Sequence, residues 1–549
     1  MNKIFKSLLA AAVVAPTVML TGCIEEEFPT DVATQEQVVN SPKAAESLAM
    51  AMPAYLNATF ILPTEVHYDY GYPSLMHIRD VMTADMAILS SNYDHYNAWE
   101  TNISIGENYL TTQFIWWYYS KLLQTANLTI GAVDPETTNV RNQHLLGCGY
   151  AFRALALLDM ARMFEFLPND VTSPNVTGNE YMPTQDVTGY TVPIVTENMT
   201  EEEGRANPRV THEAMMEFLI NDLNQAEAYI VASPRSSKTM PNLACVYGLK
   251  ARAYMWDENY PMAKEYARKA IDAHGAGTVT TRDQWLSTTT AFNDLNTPSW
   301  MWGQQLVTED DAVQTGIVNW TSWTANEFVG GYAAAGPIMM IGAELYNKIN
   351  DADFRKLTFV APQGSALSGQ ENYINQAHLV ESGVELPAYA SLKIKPGQGE
   401  MDASNIACAV GIPIMRVEEM YLIEAEAAAH TNATEGKTLL ENFMKTYRYP
   451  SYTCEGTTTE EVVDECFLQK RIEFFSEGII FFDYKRLNKP VIRNYSGSNF
   501  GVSRQFNTTT RPAWMNFVFV KQEENGNAAM VGFNNPDPSQ AYKAPIASE

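Results

Sequence analysis

The chain has 549 residues, enough for a large core or several domains, and its 46% hydrophobic content is typical of a globular protein. The net charge of −27 argues against nucleic acid, which needs clustered Lys and Arg, and makes polyanionic ligands less favourable. Aromatic residues are frequent, at 11% of the chain.

The N-terminus has the pattern of an export signal. Lys3 and Lys6 precede a short apolar run that is too short to span a bilayer. Leu20-Thr21-Gly22-Cys23 resembles a bacterial lipobox, so we expect residues 1–22 to be a signal peptide and Cys23 to be lipidated. A plain secretory signal is the alternative.

The acidic run Glu25–Glu27 resembles the signal that sends lipoproteins of Bacteroidota to the cell surface. Residues 23–40 are polar and are predicted to form a tether. No later apolar stretch approaches 18 residues, so the expected membrane attachment is the lipid anchor alone.

Helical periodicity dominates the next part of the chain. Ser41-Pro42 is typical of a helix start. The predicted helices cover 43–56, 110–130 and 141–166, and a further helix runs from a Thr211 cap to Ile230. Residues 60–107 lack steady periodicity, and residues 167–206 are loop-like.

A repeat signature follows within residues 242–274. Large and small residues recur there at the spacing of a tetratricopeptide repeat, at Tyr247, Ala251, Tyr254, Ala263, Ala267 and Ala270. We therefore predict that helix pairs at 141–230, 242–274 and 416–448 stack as a short, irregular solenoid. Three unrelated helical hairpins are the alternative.

Residues 275–410 are rich in Gly, Pro, Thr and Asn, and helical periodicity fades there except near Ile338–Ile349. Trp300–Leu306 alternates like a short strand. The C-terminal residues 487–549 are loop-rich. Trp514, Phe517 and Phe519 are expected to pack this tail against the rest of the protein.

The block 412–486 contains the most regular helices. Thr458 and Glu461 form a predicted capping box, and Gly478 is expected to end the helix that follows. Charged residues alternate with large apolar ones over 471–486. We interpret these charges as a solvated or salt-bridged scaffold, because ion-pair networks are mostly structural.

Three stretches carry a family resemblance. Arg416-Val-Glu-Glu-Met-Tyr-Leu-Ile-Glu-Ala-Glu-Ala resembles the R-x-x-E-x-Y-L-x-x-A-E-A element of the SusD/RagB family. The stretch 471–486 is similar to that family's R-x-x-E-x-x-x-E-G-x-R-x-x-D-L-x-R element, with Ile480 and Tyr484 as departures. The stretch 150–164 is similar to its R-A-x-x-Y-x-x-L-x-x-x-F-G-x-x-P element, in which Glu165 replaces Gly.

The resemblance implies a mainly α fold: a tetratricopeptide-like scaffold, about 41–274 and 412–486, carrying an irregular, loop-rich ligand-binding part at about 275–411. With the tail 487–549 this makes a single SusD-like domain, 41–549. It further implies an outer-membrane, cell-surface lipoprotein that captures oligosaccharides for a SusC-like TonB-dependent transporter without catalysis. A peptide ligand, as in RagB-like members, is the alternative of the same fold.

Motifs for enzymatic chemistry are missing from the sequence. It contains no HExxH, G-x-S-x-G, P-loop or G-x-G-x-x-G pattern and no CxxC pair. His67 and His77 are not at ligand spacing and are interpreted as structural. We expect no cofactor, with a structural calcium and a Cys454–Cys466 pairing left open. A surface glycoside hydrolase also stays open, because abundant carboxylates neither locate nor exclude an acid pair.

Aromatic side chains in two non-helical segments are the candidate ligand contacts. Trp and Tyr rings can stack on the apolar C–H faces of sugar rings at low entropic cost. The predicted contacts are Tyr93, Tyr96, Trp99, Trp320, Trp323 and Tyr332. Core packing is the alternative for each, since Trp is highly buried on average.

Overall fold

The computed structural model of the chain describes residues 42–89, 95–96, 99, 104–169, 183–230, 235 and 237–539. The predicted signal peptide 1–22, the lipidation site Cys23, the tether 23–40 and Tyr93 lie outside these residues. Within the described ranges, none of the helices is both long and apolar enough to cross a membrane.

The first half of the chain is a stack of helices. They are α1 Pro42–Tyr55, α2 Tyr72–Val81, α3 Leu110–Gly131, α4 Val140–Phe164, α5 Glu201–Gly204, α6 His212–Ile230, α7 Leu243–Trp256 and α8 Tyr260–His274. Helix α3 packs on α4, α4 on α6, α6 on α7 and α7 on α8. This order is the predicted solenoid of helix pairs.

Short helices and strands make up the middle of the chain. The helices are α9 Arg282–Trp285, α10 Asp311–Gln314, α11 Trp320–Thr324, α12 Tyr332–Ala335, α13 Ala343–Lys348, α14 Gln376–Glu381 and α15 Ser404–Ala407, with 3₁₀ turns at Phe354–Thr358 and Gly397–Gly399. The strands are β1 Met86–Ile88, β2 Trp300–Gln305, β3 Met339–Ile341 and β4 Gly411–Arg416. Strand β1 pairs antiparallel with β3, and β2 with β4.

Long helices return after β4 and complete the scaffold. They are α16 Val417–Thr431, α17 Ala433–Tyr447, α18 Thr459–Glu473 and α19 Ile480–Arg486, followed by α20 Lys521–Gly526 and 3₁₀ turns at Val502–Arg504, Ala513–Met515 and Ala528–Met530. Helix α16 packs on α8, α17 and α18, so it lies at the centre of this part. The fold is therefore mainly α, with a tetratricopeptide-like scaffold and an irregular part.

Capping and small side chains explain the regular helices. The Thr458 side chain accepts a hydrogen bond from the Glu461 amide at 3.3 Å, and Glu461 bonds back to the Thr458 amide, so the predicted capping box is confirmed. Ala263, Ala267 and Ala270 are fully buried. Their small side chains let α8 approach the neighbouring helices closely.

Two expectations for the irregular regions were wrong. Residues 60–107 contain helix α2, whose ten residues are all buried. Its polar residues, such as His77 and Arg79, face protein and not solvent, so the helix lacks the amphipathic pattern that marks a surface helix. The helical pattern near 338–349 divides into strand β3 and helix α13.

The charges of 471–486 are buried rather than solvated. The Glu473 carboxylate, 0% exposed, accepts hydrogen bonds from Arg448 at 2.7 and 2.8 Å, from Arg355 at 3.0 Å and from Arg416 at 3.1 Å. The salt-bridged scaffold interpretation is confirmed, and its solvated form is wrong. The network ties β4, α18 and the 3₁₀ turn at 354–358 together.

Gly478 does not end helix α18, which stops at Glu473. It has φ +70°, and a Cβ at this position would lie 2.4 Å from the Met76 Cα. Its amide donates to the Asp80 carboxylate at 3.0 and 3.1 Å. The glycine is therefore required by the close approach of α2.

The aromatic residues of the C-terminal tail and the cysteines are buried in the protein interior. Trp514, Phe517 and Phe519 are buried, and the last two rings contact Phe164 of α4. The five cysteines within the described residues are buried free thiols, including Cys454 and Cys466.

Candidate functional site

A group of rings joins two segments that are far apart in the sequence. The ring of Tyr96 meets Trp323 edge-on, with centroids 4.9 Å apart. The rings of Trp323 and Tyr332 stack at 4.3 Å with an interplanar angle of 14°. Three of the six predicted ligand residues therefore share one cluster.

Two histidines complete this group, and neither was among the predicted contacts. His95 meets Trp323 and Tyr332 edge-on, at 5.8 and 5.4 Å, and His67 stacks on His95 at 4.7 Å. His67 Nδ1 also shares a hydrogen bond with the Tyr332 hydroxyl. We call these five residues, His67, His95, Tyr96, Trp323 and Tyr332, the aromatic cluster.

Local hydrogen bonds hold the cluster in place. The Asn319 side chain caps α11 by accepting from the Ser322 amide at 2.9 Å. Ser322 Oγ in turn accepts from the Tyr332 amide at 2.9 Å, which folds Tyr332 back over Trp323. The Trp323 indole N–H donates to the His67 carbonyl at 3.1 Å. The two segments are thus joined by backbone contacts as well as rings.

A buried carboxylate orders the segment that carries His67. Asp69 Oδ2 accepts from the Leu62 amide at 2.8 Å, and the Asp69 carbonyl accepts from the Phe60 amide at 3.1 Å. Burial raises the pKa of Asp69 to about 6, although the amides of Leu62 and Ile61 lower it. This carboxyl group therefore titrates close to the physiological range.

The histidines differ in their surroundings. His67 and His95 are half-buried at the rim, whereas His77 is fully buried under Tyr96, with ring centroids 4.5 Å apart. Burial lowers the pKa of His77 to about 3, and burial with neighbouring His67 lowers the pKa of His95. Near neutral pH these two imidazoles are neutral, so His95 can both donate and accept a hydrogen bond.

Burial limits what the predicted residues can do in this conformation. Tyr96, Trp323, Trp99 and Trp320 are at most 1% exposed, and Tyr332 is 8% exposed. A ring that is sealed in this way cannot stack on a ligand without movement of its cover. In this conformation the more exposed part of the cluster is its rim, His67 and His95, and stacking of a ligand on the other rings stays a prediction.

Two predicted residues belong to other surroundings. The Trp99 ring lies 6.4 Å from Phe517 of the C-terminal tail, and Trp320 is the buried first residue of α11. Their indole N–H groups have no hydrogen-bond partner among the described residues. Tyr93 lies outside the described residues. Ligand binding by these side chains stays a prediction.

The cluster combines aromatic rings with neutral hydrogen-bonding groups. Its ring faces suit apolar C–H surfaces, while imidazole nitrogens and the Tyr332 hydroxyl suit ligand hydroxyls. Across the described part of the chain, no group of three or more His, Cys, Asp or Glu side chains is placed to hold a metal ion. The sequence did not single out His67 and His95, because they join Trp323 and Tyr332 only through contacts between segments that are distant in the sequence.

Comparison with known proteins shows which proteins the chain resembles. The profile of the SusD family matches residues 401–547. A SusD-like carbohydrate-binding protein of Bacteroides vulgatus superposes with a TM-score of 0.68 at 20% identity, covering 89% of this chain and 96% of its own. A putative sugar-binding protein of the same species gives 0.63 at 20% identity, covering 89% and 97%.

A SusD superfamily protein of Bacteroides thetaiotaomicron gives a TM-score of 0.64 at 15% identity, covering 89% of this chain and 98% of its own. Among curated protein sequences, none matches this chain. At these identities the superpositions establish the fold. The chain is thus similar to the SusD family over residues 401–547, and it shares the fold of SusD-like proteins.

Proposed function

We propose that the protein is a cell-surface lipoprotein that binds oligosaccharides or a polysaccharide and delivers them to a SusC-like TonB-dependent transporter. The observation that carries this proposal is the aromatic cluster, which joins two segments of a SusD-like fold into one group of rings and imidazoles. The solved relatives described as carbohydrate- and sugar-binding support the same ligand class.

In this proposal the ligand contacts the rim of the cluster and is not chemically altered. Sugar hydroxyls bond to the half-buried imidazoles of His67 and His95, and a C–H face reaches the Tyr332 ring, 8% exposed, only when the cover of that ring moves. The rings are held by their neighbours, so little side-chain entropy is lost on binding. Lipidated Cys23 anchors the chain, and binding is followed by transfer into the transporter.

A glycan and peptide array, followed by calorimetry with the best ligand, tests the ligand class and the site. We expect glycan binding, weakened about tenfold or more by His95→Ala, which corresponds to about 1.4 kcal/mol. His430→Ala is the matched control, because His430 stacks on Tyr260 at 3.6 Å on the helical scaffold. It should leave the affinity unchanged.

The other outcomes select other functions. Binding of peptides in place of sugars would favour the RagB-like alternative, and release of reducing sugar by the purified protein would establish a hydrolase. Equal affinities of His95→Ala and the unmodified chain would refute the rim as the site.

Attachment and delivery are tested separately in cells. Cys23→Ala should abolish the diacyl modification seen by mass spectrometry and release the protein from the membrane fraction. The unmodified protein should co-purify with a TonB-dependent transporter from solubilised outer membranes. Absence of the transporter under conditions that retain the lipoprotein would count against delivery.

A further inference from the structure

The Tyr332 side chain covers one face of the Trp323 indole in the aromatic cluster. The two rings lie parallel to within 14° with centroids 4.3 Å apart, so they contact face to face, whereas Tyr96 and His95 meet Trp323 edge-on. Trp323 is 0% exposed and Tyr332 is 8% exposed. A ligand can therefore reach this face of Trp323 only if the Tyr332 ring leaves it.

The Tyr332 side chain makes the two kinds of contact that a sugar unit would make at the same place. Its ring stacks on Trp323, as the C–H face of a sugar stacks on an aromatic ring, and its hydroxyl shares a hydrogen bond with His67 Nδ1. A sugar likewise combines an apolar face with hydroxyl groups. Replacement of Tyr332 by a sugar would thus conserve one stacking contact at Trp323 and one hydrogen bond at His67.

Trp323 is fixed, whereas Tyr332 lies near the surface. The Trp323 indole N–H donates to the His67 carbonyl at 3.1 Å. Tyr332 begins the four-residue helix α12, whose other residues are alanines, and Ala335 at the end of this helix is exposed. Rotation of the Tyr332 side chain toward solvent would break its bond to His67 and its stack on Trp323, but it would keep the bond between the Tyr332 amide and Ser322 Oγ.

We propose that Tyr332 is a gate on the aromatic cluster, latched by His67, and that a sugar ring replaces the Tyr332 ring on Trp323 when the gate opens. The inference rests on the proposed function, since it concerns how the same cluster takes a glycan. Trp323 is then the stacking ring, and His67 Nδ1 exchanges the Tyr332 hydroxyl for a sugar hydroxyl. The closed gate gives both side chains a partner when no glycan is bound.

The latch sets how often the site is open. The net contribution of one hydrogen bond shifts such an equilibrium by about two- to tenfold. A ligand that binds only the open form has its affinity reduced in proportion to the fraction of molecules that are open. Tyr332→Phe removes the hydroxyl and keeps the ring, so it raises a small open fraction by about the same factor. The glycan should therefore bind Tyr332→Phe about two- to tenfold more tightly than it binds the unmodified protein.

Calorimetry with the glycan that binds best on the array gives the sign of this effect. Tyr452→Phe is the matched control, because it removes a hydroxyl that donates to Glu465 at 2.8 Å on the helical scaffold, and it should leave the affinity unchanged. Equal or weaker binding by Tyr332→Phe would overturn the gate and leave the proposed function intact. Absence of glycan binding by all three proteins would refute the proposed function and, with it, the replacement of Tyr332 by a sugar.

Hydroxyl-radical footprinting with mass spectrometry tests the gate without any ligand, because oxidation of a side chain becomes faster as its exposure rises. Trp323 should be oxidised about two- to tenfold faster in Tyr332→Phe than in the unmodified protein or in Tyr452→Phe. Trp302, fully buried on β2, is the internal reference and should react equally in all three proteins. An unchanged rate at Trp323, or an equal rise at Trp302, would overturn the gate.

Discussion

Glu473 accepts hydrogen bonds from three buried arginines, and Glu473→Gln is the change that tests how the scaffold is held. The substitution keeps the shape of the side chain but removes one carboxylate oxygen and the negative charge. It also directs an amide N–H₂ toward Arg448, Arg416 or Arg355, which are donors themselves. Removing one partner of a buried ion pair costs about 3–5 kcal/mol, because the remaining charge stays uncompensated.

For a chain of this size, about 1 kcal/mol corresponds to about one degree, so we expect Tm to fall by about 3–5 °C. Calorimetry or intrinsic fluorescence of purified Glu473→Gln gives the value. Glu435→Gln is the matched control: its partner Lys264 lies 2.7 Å away, but both side chains are partly exposed, so the loss should stay below about 1 kcal/mol.

The sign of the pH dependence provides a second check. Arg448, Arg416 and Arg355 hold the pKa of Glu473 well below its ordinary value of 4.5, although burial opposes them. The stability from this carboxylate is therefore present above pH 4.5 and is lost as the pH falls. The difference in Tm between the unmodified protein and Glu473→Gln should become smaller as the pH falls below 4.5. A Glu473→Gln protein as stable as the unmodified chain at pH 7 would refute the reasoning.

Two further substitutions are Asp69→Asn, which tests the segment that carries His67, and Gly478→Ala, which tests the close approach of α2 to Gly478. Because burial raises the pKa of Asp69 from 3.8 to about 6, the unmodified protein should lose about 2–3 kcal/mol as the pH rises from 4 to above 6. In urea titrations at a series of pH values, the stability of Asp69→Asn should not show this loss. Parallel pH profiles of stability for the unmodified protein and Asp69→Asn would contradict the prediction. Gly478→Ala should destabilise by about 2–4 kcal/mol, since the new Cβ meets Met76 at 2.4 Å. Gly497→Ala, with φ +83° and open space around it, should show only the smaller backbone strain in the same titration.

The parts of the fold that sequence predicts are those in which a pattern repeats locally. The capping box at Thr458, the alanines of α8 and the strand at Trp300 each depend on neighbours a few residues away, and each is confirmed. Helix α2 and strand β4 escaped prediction because both are buried along their whole length. Where every side chain faces protein, the contrast between apolar and polar faces disappears.

The candidate site shows a different limit. Residue type singled out Trp323 and Tyr332, which lie in one cluster, but no local pattern tells whether an aromatic ring faces solvent or the interior. His67 precedes α2, His95 follows β1, and both contact Trp323 of α11, so this group arises only when three separate segments come together. Such a site is a property of tertiary contacts.

The antiparallel pairing of β2 with β4 bears on which parts of the chain can change in length during evolution. It pairs Trp300 with Arg416 and Gln305 with Gly411, while α8 and α16 pack side by side. The chain thus leaves the helical scaffold at β2 and returns at β4. The residues between are also tied to the scaffold by the pairing of β3 with β1 and the contact of Arg355 with Glu473. Changes in length that leave the scaffold intact are therefore confined to exposed loops between those contacts, such as 363–370.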